Sequence, residues 1–282
     1  MSRFGGTTTS KRFSVLPGRS GTLGFTVFYL SALVLLPLGV MAVRAAGIGP
    51  SGLFLVLTSW RVLAAFRTSF GIALIAAFLD VAIGLLLAWV LVRYRFPGRR
   101  LMDAMIDLPI AFPTAVAGIS LSALYSQNGW FGAPLDALGI RVASTPLGIG
   151  VALVFVGLPF VVRAVEPVLA DLDRDVEDAA ATLGAGRGQI FRRLILPAVT
   201  PALLTGFALA FGRAVGEYGS VIFIAGNRPG LSEIAPLLIV IKLDEEYDYT
   251  GAAVLGTLML VASFLIILAV NTLEGWSRRH AR

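Results

Sequence analysis

Six stretches of this chain are apolar over roughly the length that crosses a lipid bilayer, and they constrain its fold more than any other feature. They run over about Phe25–Val43, Phe70–Val92, Ile110–Tyr125, Leu147–Val165, Ala202–Ala225 and Gly251–Val270. At a rise of about 1.5 Å per residue, about 20 residues cross a hydrocarbon core of about 30 Å. Five runs meet that length, and the third is short and opens on Pro109 and Pro113. A large soluble α/β enzyme would bury strands of only about 8 apolar residues. Charged residues make up 14% of the chain, against about 25% in a soluble domain. Backbone groups in lipid must bond within their own segment, so the expected fold class is an all-α membrane protein with six transmembrane helices. The first run exceeds the roughly 7–15 residues of a signal-peptide core and reads as a retained span.

The basic residues orient these spans. Sixteen Lys/Arg fall in the N-terminal tail (Arg3, Lys11, Arg12, Arg19), the 2–3 loop (Arg93, Arg95, Arg99, Arg100), the 4–5 loop (Arg163, Arg174, Arg187, Arg192, Arg193) and the C-terminal tail (Arg278, Arg279, Arg282). The opposite side has six: Arg44, Arg61, Arg67, Arg141, Arg228 and Lys242. Cytoplasmic loops carry the excess, so both termini are expected in the cytoplasm. The location follows as a multi-pass cell membrane protein, of the inner membrane where the source has two. Topology thus accounts for the net charge of +6 without a nucleic-acid partner. Residues 1–24 read as a polar cytoplasmic tail and 25–282 as the transmembrane domain, with a core of about 67–271. Ser51–Phe66 reads as an amphipathic segment at the outer interface. No cysteine is present, which excludes a disulfide framework, thiol catalysis and Cys-ligated metal. The single histidine, His280, lies in the basic tail and reads as a solvated residue.

The 4–5 loop, about 166–200, is the most informative stretch. Loops of about 35 residues are unusual and commonly functional. Asp173 or Asp175 can N-cap a helix whose acids suit its positive end. Ala179, Ala180, Ala181 and Leu183 form a small apolar face, and Gly184 fits a helix C′ position with positive φ. A second short helix, about Gln189–Leu194, brings Arg192 and Arg193 to its negative end, and Pro197 stops it before span five. Such an elbow can press a short rigid helix into a partner's groove. Composition alone is equally consistent with an ordinary interfacial loop.

Asp178-Ala179-Ala180, three residues, Gly184, nine residues, Leu194, any residue, Leu196-Pro197 resembles the signature loop of ABC importer permeases, Glu-Ala-Ala, three residues, Gly, nine residues, Ile, any residue, Leu-Pro. The spacing agrees across all 20 positions. Asp178 replaces the Glu, with Glu177 adjacent, and Leu194 replaces the Ile. The resemblance implies a type I ABC importer permease fold whose cytoplasmic coupling helices dock on a dimer of ATPase subunits. The chain has no Gly-x-x-x-x-Gly-Lys-Ser/Thr loop, and Gly184-Ala-Gly-Arg-Gly188 lacks the lysine and follows no strand. ATP and Mg are therefore expected on the partner. No cofactor is expected on this chain, which is read as a transport subunit and not an enzyme.

Further segments resemble the T-type subunit of the sulfate/thiosulfate permeases: Arg93-Tyr-Arg-Phe-Pro-Gly-Arg99, Asp107 to Gly118, Leu158 to Arg163, and Arg213-Ala-Val-Gly-Glu-Tyr-Gly-Ser-Val-Ile-Phe-Ile-Ala-Gly-Asn227. The resemblance covers about Arg67–Asn271. It implies a second, similar permease subunit in a heterodimer and a sulfate-binding protein that delivers the anion. Molybdate/tungstate permeases share the Gly-Glu-(aromatic)-Gly element and are the neighbouring alternative. An ion-coupled secondary transporter is a different class, but no inverted repeat is evident. A membrane-embedded enzyme lacks the clustered His, Asp or Glu it would need.

Candidate path or gate residues are Pro113, Thr114, Arg213, Gly216, Glu217 and Ser220, with Ser120 and Ser122 as further hydroxyls. The prolines free backbone groups at membrane depth, which is tolerated where protein or water covers them. A kinked helix packed through small residues is the equal alternative. Arg213 and Glu217 stand at i, i+4 and share a helix face. An unpaired charge at that depth costs about 3 kcal/mol or more, so they are expected to pair. The pair reads as a gate, or else as a salt bridge that fixes packing. Asp80 is a weaker candidate, expected to pair with a neighbouring helix or a serine.

Overall fold

The structure, a computed structural model, describes residues 19–280; of the tail expected at 1–24, residues 1–18 lie outside the described residues and 19–24 instead open the first helix. Helix α1 runs Arg19–Leu30, passes through a wide turn at Ser31–Leu35 and continues as Leu36–Ala46. The following helices are α2 (Gly49–Thr58), α3 (Trp60–Arg93), α4 (Arg99–Ala111), α5 (Thr114–Tyr125), α6 (Gly132–Ala137), α7 (Pro146–Asp171), α8 (Arg174–Thr182), α9 (Arg187–Val215, with a wide turn at Phe191–Ile195), α10 (Val221–Ile224), α11 (Ala235–Asp244) and α12 (Tyr249–His280). No strand occurs among the described residues. The side chain of His280 lies outside the described residues.

Among the described residues, five helices are long and apolar enough to cross a membrane: α1, α3, α7, α9 and α12. The α4–α5 pair makes a sixth if its two arms count as one span, but it is bent by 113°. The third run is therefore not a single helix, and Ile110 and Ala111 belong to the preceding arm. The bend follows from Pro113. Its ring keeps Phe112 out of the helical region, at φ −81° and ψ 139°. The α5 arm has 12 residues, which at about 1.5 Å each spans about 18 Å, short of a crossing.

Pro197 behaves otherwise. It was expected to end a short helix, yet α9 passes straight through it. A proline inside a helix clashes with the carbonyl four residues back. Here that residue, Arg193, sits in the wide turn Phe191–Ile195, which opens the backbone by one residue. Pro37 uses the same device, since Leu33 lies in the wide turn Ser31–Leu35. Arg192 and Arg193 consequently stand within a continuous helix and not at a C-terminus.

Two other boundaries move. Span five, expected to reach Ala225, ends at Val215, and a break at 216–220 precedes α10. Ser51–Phe66 is not one amphipathic element, because Ser59 is extended and separates α2 from α3. Leu53, Phe54, Leu55 and Leu57 are all exposed, so α2 is apolar around most of its circumference.

The core is the bundle of α3, α7 and α9. Their contacting faces carry small residues, Ala73, Ala76, Ala77, Ala152 and Ala210, all essentially without exposure. Small side chains let backbones approach closely, which in lipid replaces the hydrophobic drive between helices. A Cβ on Gly206 would lie 2.9 Å from Val161 Cα, so α9 touches the backbone of α7 there. The α12 helix packs on α1, α9 and α11 outside this bundle, and none of the residues of α1 between Leu36 and Ala46 is buried. The outward faces of α1 and α12 are rich in exposed Leu, Val and Phe, as lipid-facing helices require.

Candidate coupling and translocation site

Helix α8 is built by its ends. Asp173 is the N-cap, and its carboxylate accepts from Asp175 N at 3.0 Å. Asp175 and Glu177 occupy the first turn, where negative charge meets the positive end of the helix. At the other end Gly184 takes φ +86°. Gly184 N donates to Ala181 O at 2.9 Å and Ala185 N to Ala180 O at 3.0 Å. That pair of bonds is a Schellman motif, which satisfies carbonyls the helix leaves open. Gln189 then reaches back to accept from Gly186 N at 3.0 Å, starting α9.

The α8 helix stands away from the bundle. Asp178, Ala179, Ala181 and Thr182 are exposed, Ala180 is half-buried, and Leu183 is 89% exposed. One ion pair ties it down, from Arg93 at the end of α3 to Glu177. Arg93 lies over the Trp89 ring, 5.4 Å from its centroid, and Trp89 meets Phe191 edge-on at 5.8 Å. Leu194 and Leu196 are half-buried against the main core and Pro197 is exposed. The signature residues thus divide in two. Glu177, Leu194 and Leu196 face the bundle, whereas Asp178, Ala179 and Gly184 face outward with an exposed leucine beside them. Asp173→Ala is expected to cost about 1 kcal/mol of local helix stability. Amide exchange should quicken across 174–182 while the melting temperature of the whole chain stays put.

A second charged cluster sits on the same side. Arg163 on α7 donates to Asp107 through Nε (2.9 Å) and Nη2 (2.6 Å), and to Glu166 through Nη1 (2.6 Å). Asp103 is 2.8 Å away. Asp103 and Asp107 are one turn apart on α4, so this arginine fixes the α4 arm to the bundle. Planar two-pronged pairing of this kind constrains orientation as well as distance.

The candidate path residues split between two elements that the fold brings together. At the end of α9, Arg213 Nη1 lies 2.5 Å from Oε2 of Glu217 on the break that follows. The expected pairing is present, although Glu217 lies beyond the helix end. Its side chain is 1% exposed, and Oε1 accepts from Ser220 N and Ser220 Oγ, both at 2.9 Å. The carboxylate is therefore fully bonded inside the protein, and it orders the turn that leads into α10. Arg213 is half-buried and Gly216 exposed. Opposite them, α5 packs on this segment through small residues. A Cβ on Gly118 would lie 2.7 Å from Ser220 Cα, and Thr114 Oγ1 occupies the place where a side chain on Gly219 would go. Thr114 and Ser122 are half-buried, and Pro113 and Ser120 are exposed.

Asp80 departs from expectation. It is 1% exposed at the α3–α7 contact, and neither carboxyl oxygen has a hydrogen-bond partner among the described residues. Gly157 leaves the room it occupies, since a Cβ there would overlap Asp80 Oδ2. Sequence reasoning also missed three long-range pairs: Arg93–Glu177, Arg163–Asp103/Asp107, and Arg61–Glu233. In the last, Arg61 donates to Glu233 through Nε (2.9 Å) and Nη2 (2.7 Å), and the glutamate side chain is 1% exposed. A lone acid within the apolar stretch Leu231 to Leu238 was the one available signal for it.

Residues 80–281 match the profile of the family described as binding-protein-dependent transport system inner membrane component. A probable sulfate transport system permease protein cysT of Nephroselmis olivacea is 46% identical over 90% of this chain and 89% of its own length. The sulfate transport system permease protein CysT of Escherichia coli K12 is 44% identical over 92% of this chain and 94% of its own length. Among solved structures, a bacterial ABC transporter involved in the import of the acidic polysaccharide alginate superposes with a TM-score of 0.74 at 15% identity, covering 93% of this chain and 95% of that one. That likeness shows the fold, a type I ABC importer permease with an α-helical core. By profile and by near-full-length identity, this multi-pass membrane chain belongs to the family of binding-protein-dependent transport system inner membrane components.

Proposed function

We propose that the chain is the T-type permease subunit of an ATP-driven importer whose substrate is sulfate or thiosulfate. The observation that carries this reading is the 44–46% identity, over nine-tenths of the chain, to permeases named for sulfate transport. In this reading the chain pairs with a second, similar permease subunit, an ATPase dimer binds ATP and Mg, and a binding protein delivers the anion. Both termini and α8 lie on the cytoplasmic side, in keeping with the basic loops. No phosphate loop occurs in the sequence, which supports an ATP site on a partner.

Helix α8 is the coupling element. Its exposed face of Ala179, Ala181 and Leu183 suits a groove on the ATPase, and its ion pair to Arg93 lets it transmit a push along α3. The break at 216–220 and the start of α5, with Pro113, Thr114, Arg213, Gly216, Glu217 and Ser220, form the region where the path opens and closes. Glu217 orders this region from inside, and its pairing with the half-buried Arg213 fixes the end of α9 beside it.

Uptake of labelled sulfate tests the reading, in cells lacking their own sulfate importer and supplied with this chain and its partners. Uptake should depend on ATP, fall with excess thiosulfate and be indifferent to molybdate. Suppression by molybdate would move the substrate to that anion. Uptake that persists without ATP would instead mark an ion-coupled carrier.

A further inference from the structure

The end of the bundle opposite α8 holds an open polar cavity of about 640 Å³. Ser122, Ser126, Gln127, Asn128, Arg141 and Arg228 line it, and no carboxylate does. The two arginines differ. Arg141 donates to Asp136 at 3.0 Å, which offsets part of its charge. Arg228 makes no ion pair among the described residues, and its one side-chain bond runs from Nη2 to Ser144 O at 3.1 Å. Most of its N–H groups are left for a ligand.

The walls are fixed in place. Two non-glycine residues with positive φ stand here, Ser144 (61°) and Asn227 (51°), next to Gly226 (72°). Such conformations are uncommon and cost energy that the surrounding structure must offset. Here the offset is visible. Ser144 N donates to Ile224 O at 2.8 Å, which ties the two loops together, and Asn227 Nδ2 donates to Ile222 O at 2.8 Å, which holds the turn at Asn227 in shape. Arg228 N donates to Ser232 Oγ at 3.1 Å, and its carbonyl accepts from Ser232 N and Glu233 N. Glu233 is in turn held by Arg61. The α7 helix of 26 residues begins behind Thr145, so its positive end adds to the potential in the cavity.

We propose that this cavity receives a small divalent oxyanion, of the sulfate type, before it enters the translocation path. The proposal rests on the sulfate reading above and names the first site at which this chain touches its substrate. Guanidinium, hydroxyl and amide donors around an acid-free space are what such an anion requires in place of its hydration shell. The cavity is open, so binding is weak enough for release onward, as a conducting site requires. A surface carboxylate of the delivery protein is the rival occupant.

The test uses the assembled transporter, with its ATPase and second permease subunit, in lipid nanodiscs and without delivery protein. Retention of ³⁵S-sulfate is measured at low salt by equilibrium dialysis for wild type, Arg228→Gln, Arg228→Lys and Arg141→Gln. Comparing variants with wild type removes any sulfate held on the ATPase. Arg228→Gln should weaken the wild-type increment about tenfold or more, the loss of one charge-assisted contact. Arg228→Lys should retain an intermediate affinity, and Arg141→Gln should lose less because Asp136 already draws on that charge. Affinity for the delivery protein should be unchanged. Equal retention by wild type and Arg228→Gln overturns the proposal. So does a fall in delivery-protein affinity without a fall in sulfate retention, which would make the arginines a protein-docking patch. Uptake by the complete wild-type system separates the two levels. If it imports sulfate while the variants bind alike, this inference alone fails. If it imports none, the substrate reading fails with it.

Discussion

Gly184→Trp is expected to reduce uptake to background while leaving the chain inserted and its helices intact. Gly184 has φ +86°, and nothing lies within 4 Å of where its Cβ would stand. Space is thus available, and the strain is in the backbone. A non-glycine residue in the left-handed region costs about 1–2 kcal/mol, enough to unwind the Schellman turn and misdirect α8. Tryptophan adds bulk on the exposed side, beside Leu183, where a partner would press. Asparagine tolerates the left-handed region better than other residues. The predicted order of uptake is therefore Gly, then Asn, then Ala, with Val and Trp at background. The measurement is ATP-dependent sulfate uptake alongside ATPase stimulation by the delivery protein. Full uptake by the tryptophan variant would remove α8 as the coupling element.

Glu217→Gln is expected to destabilise the assembled transporter, not merely to slow it. Breaking one side of a buried ion pair costs about 3–5 kcal/mol, and Arg213 is partly exposed, so about 3 kcal/mol is the appropriate figure. Glutamine could still accept from Ser220, but its amide N–H₂ would face the guanidinium and leave that charge without a counterion. A fall in melting temperature on the order of 10 °C should follow, from about 2–4 °C per kcal/mol in a chain of this size. Arg213→Gln combined with Glu217→Gln should recover more than half of that fall, because the orphaned charge is gone. A gate role for the pair, one of the two readings its spacing allows, would instead predict a variant that assembles normally and transports poorly. The geometry shifts that expectation, since Glu217 has its carboxylate wholly inside the protein. An unchanged melting temperature with lost uptake would restore the path role of the carboxylate itself.

Length and periodicity determined the class of this fold without help from packing. A run of about 20 apolar residues cannot be solvated or paired as a strand, and in lipid only a helix satisfies its backbone. The α8 elbow was legible for the same local reason. Asp173 caps because its carboxylate reaches an amide two residues on, and Gly184 ends the helix because only glycine is unstrained at that φ. The i, i+4 spacing of Arg213 and Glu217 also predicted a pair that forms.

The fate of each proline did not follow from sequence. Pro113 turns the chain by 113°, whereas Pro197 sits in an unbroken helix because a wide turn lifts the Arg193 carbonyl away from its ring. Which outcome prevails depends on what packs against the segment. Pairs between distant residues were equally hidden. Arg61 and Glu233 are 172 residues apart, and Arg93 and Glu177 are 84 apart. No local pattern links them, because the energy that joins two charges depends on their separation in space and the water excluded around them, which only the folded bundle sets. For that reason the sequence by itself determined the spans and the coupling elbow, and the tertiary structure decided that Glu217 is enclosed, that Asp80 has no hydrogen-bond partner among the described residues, and that Arg228 faces an open cavity.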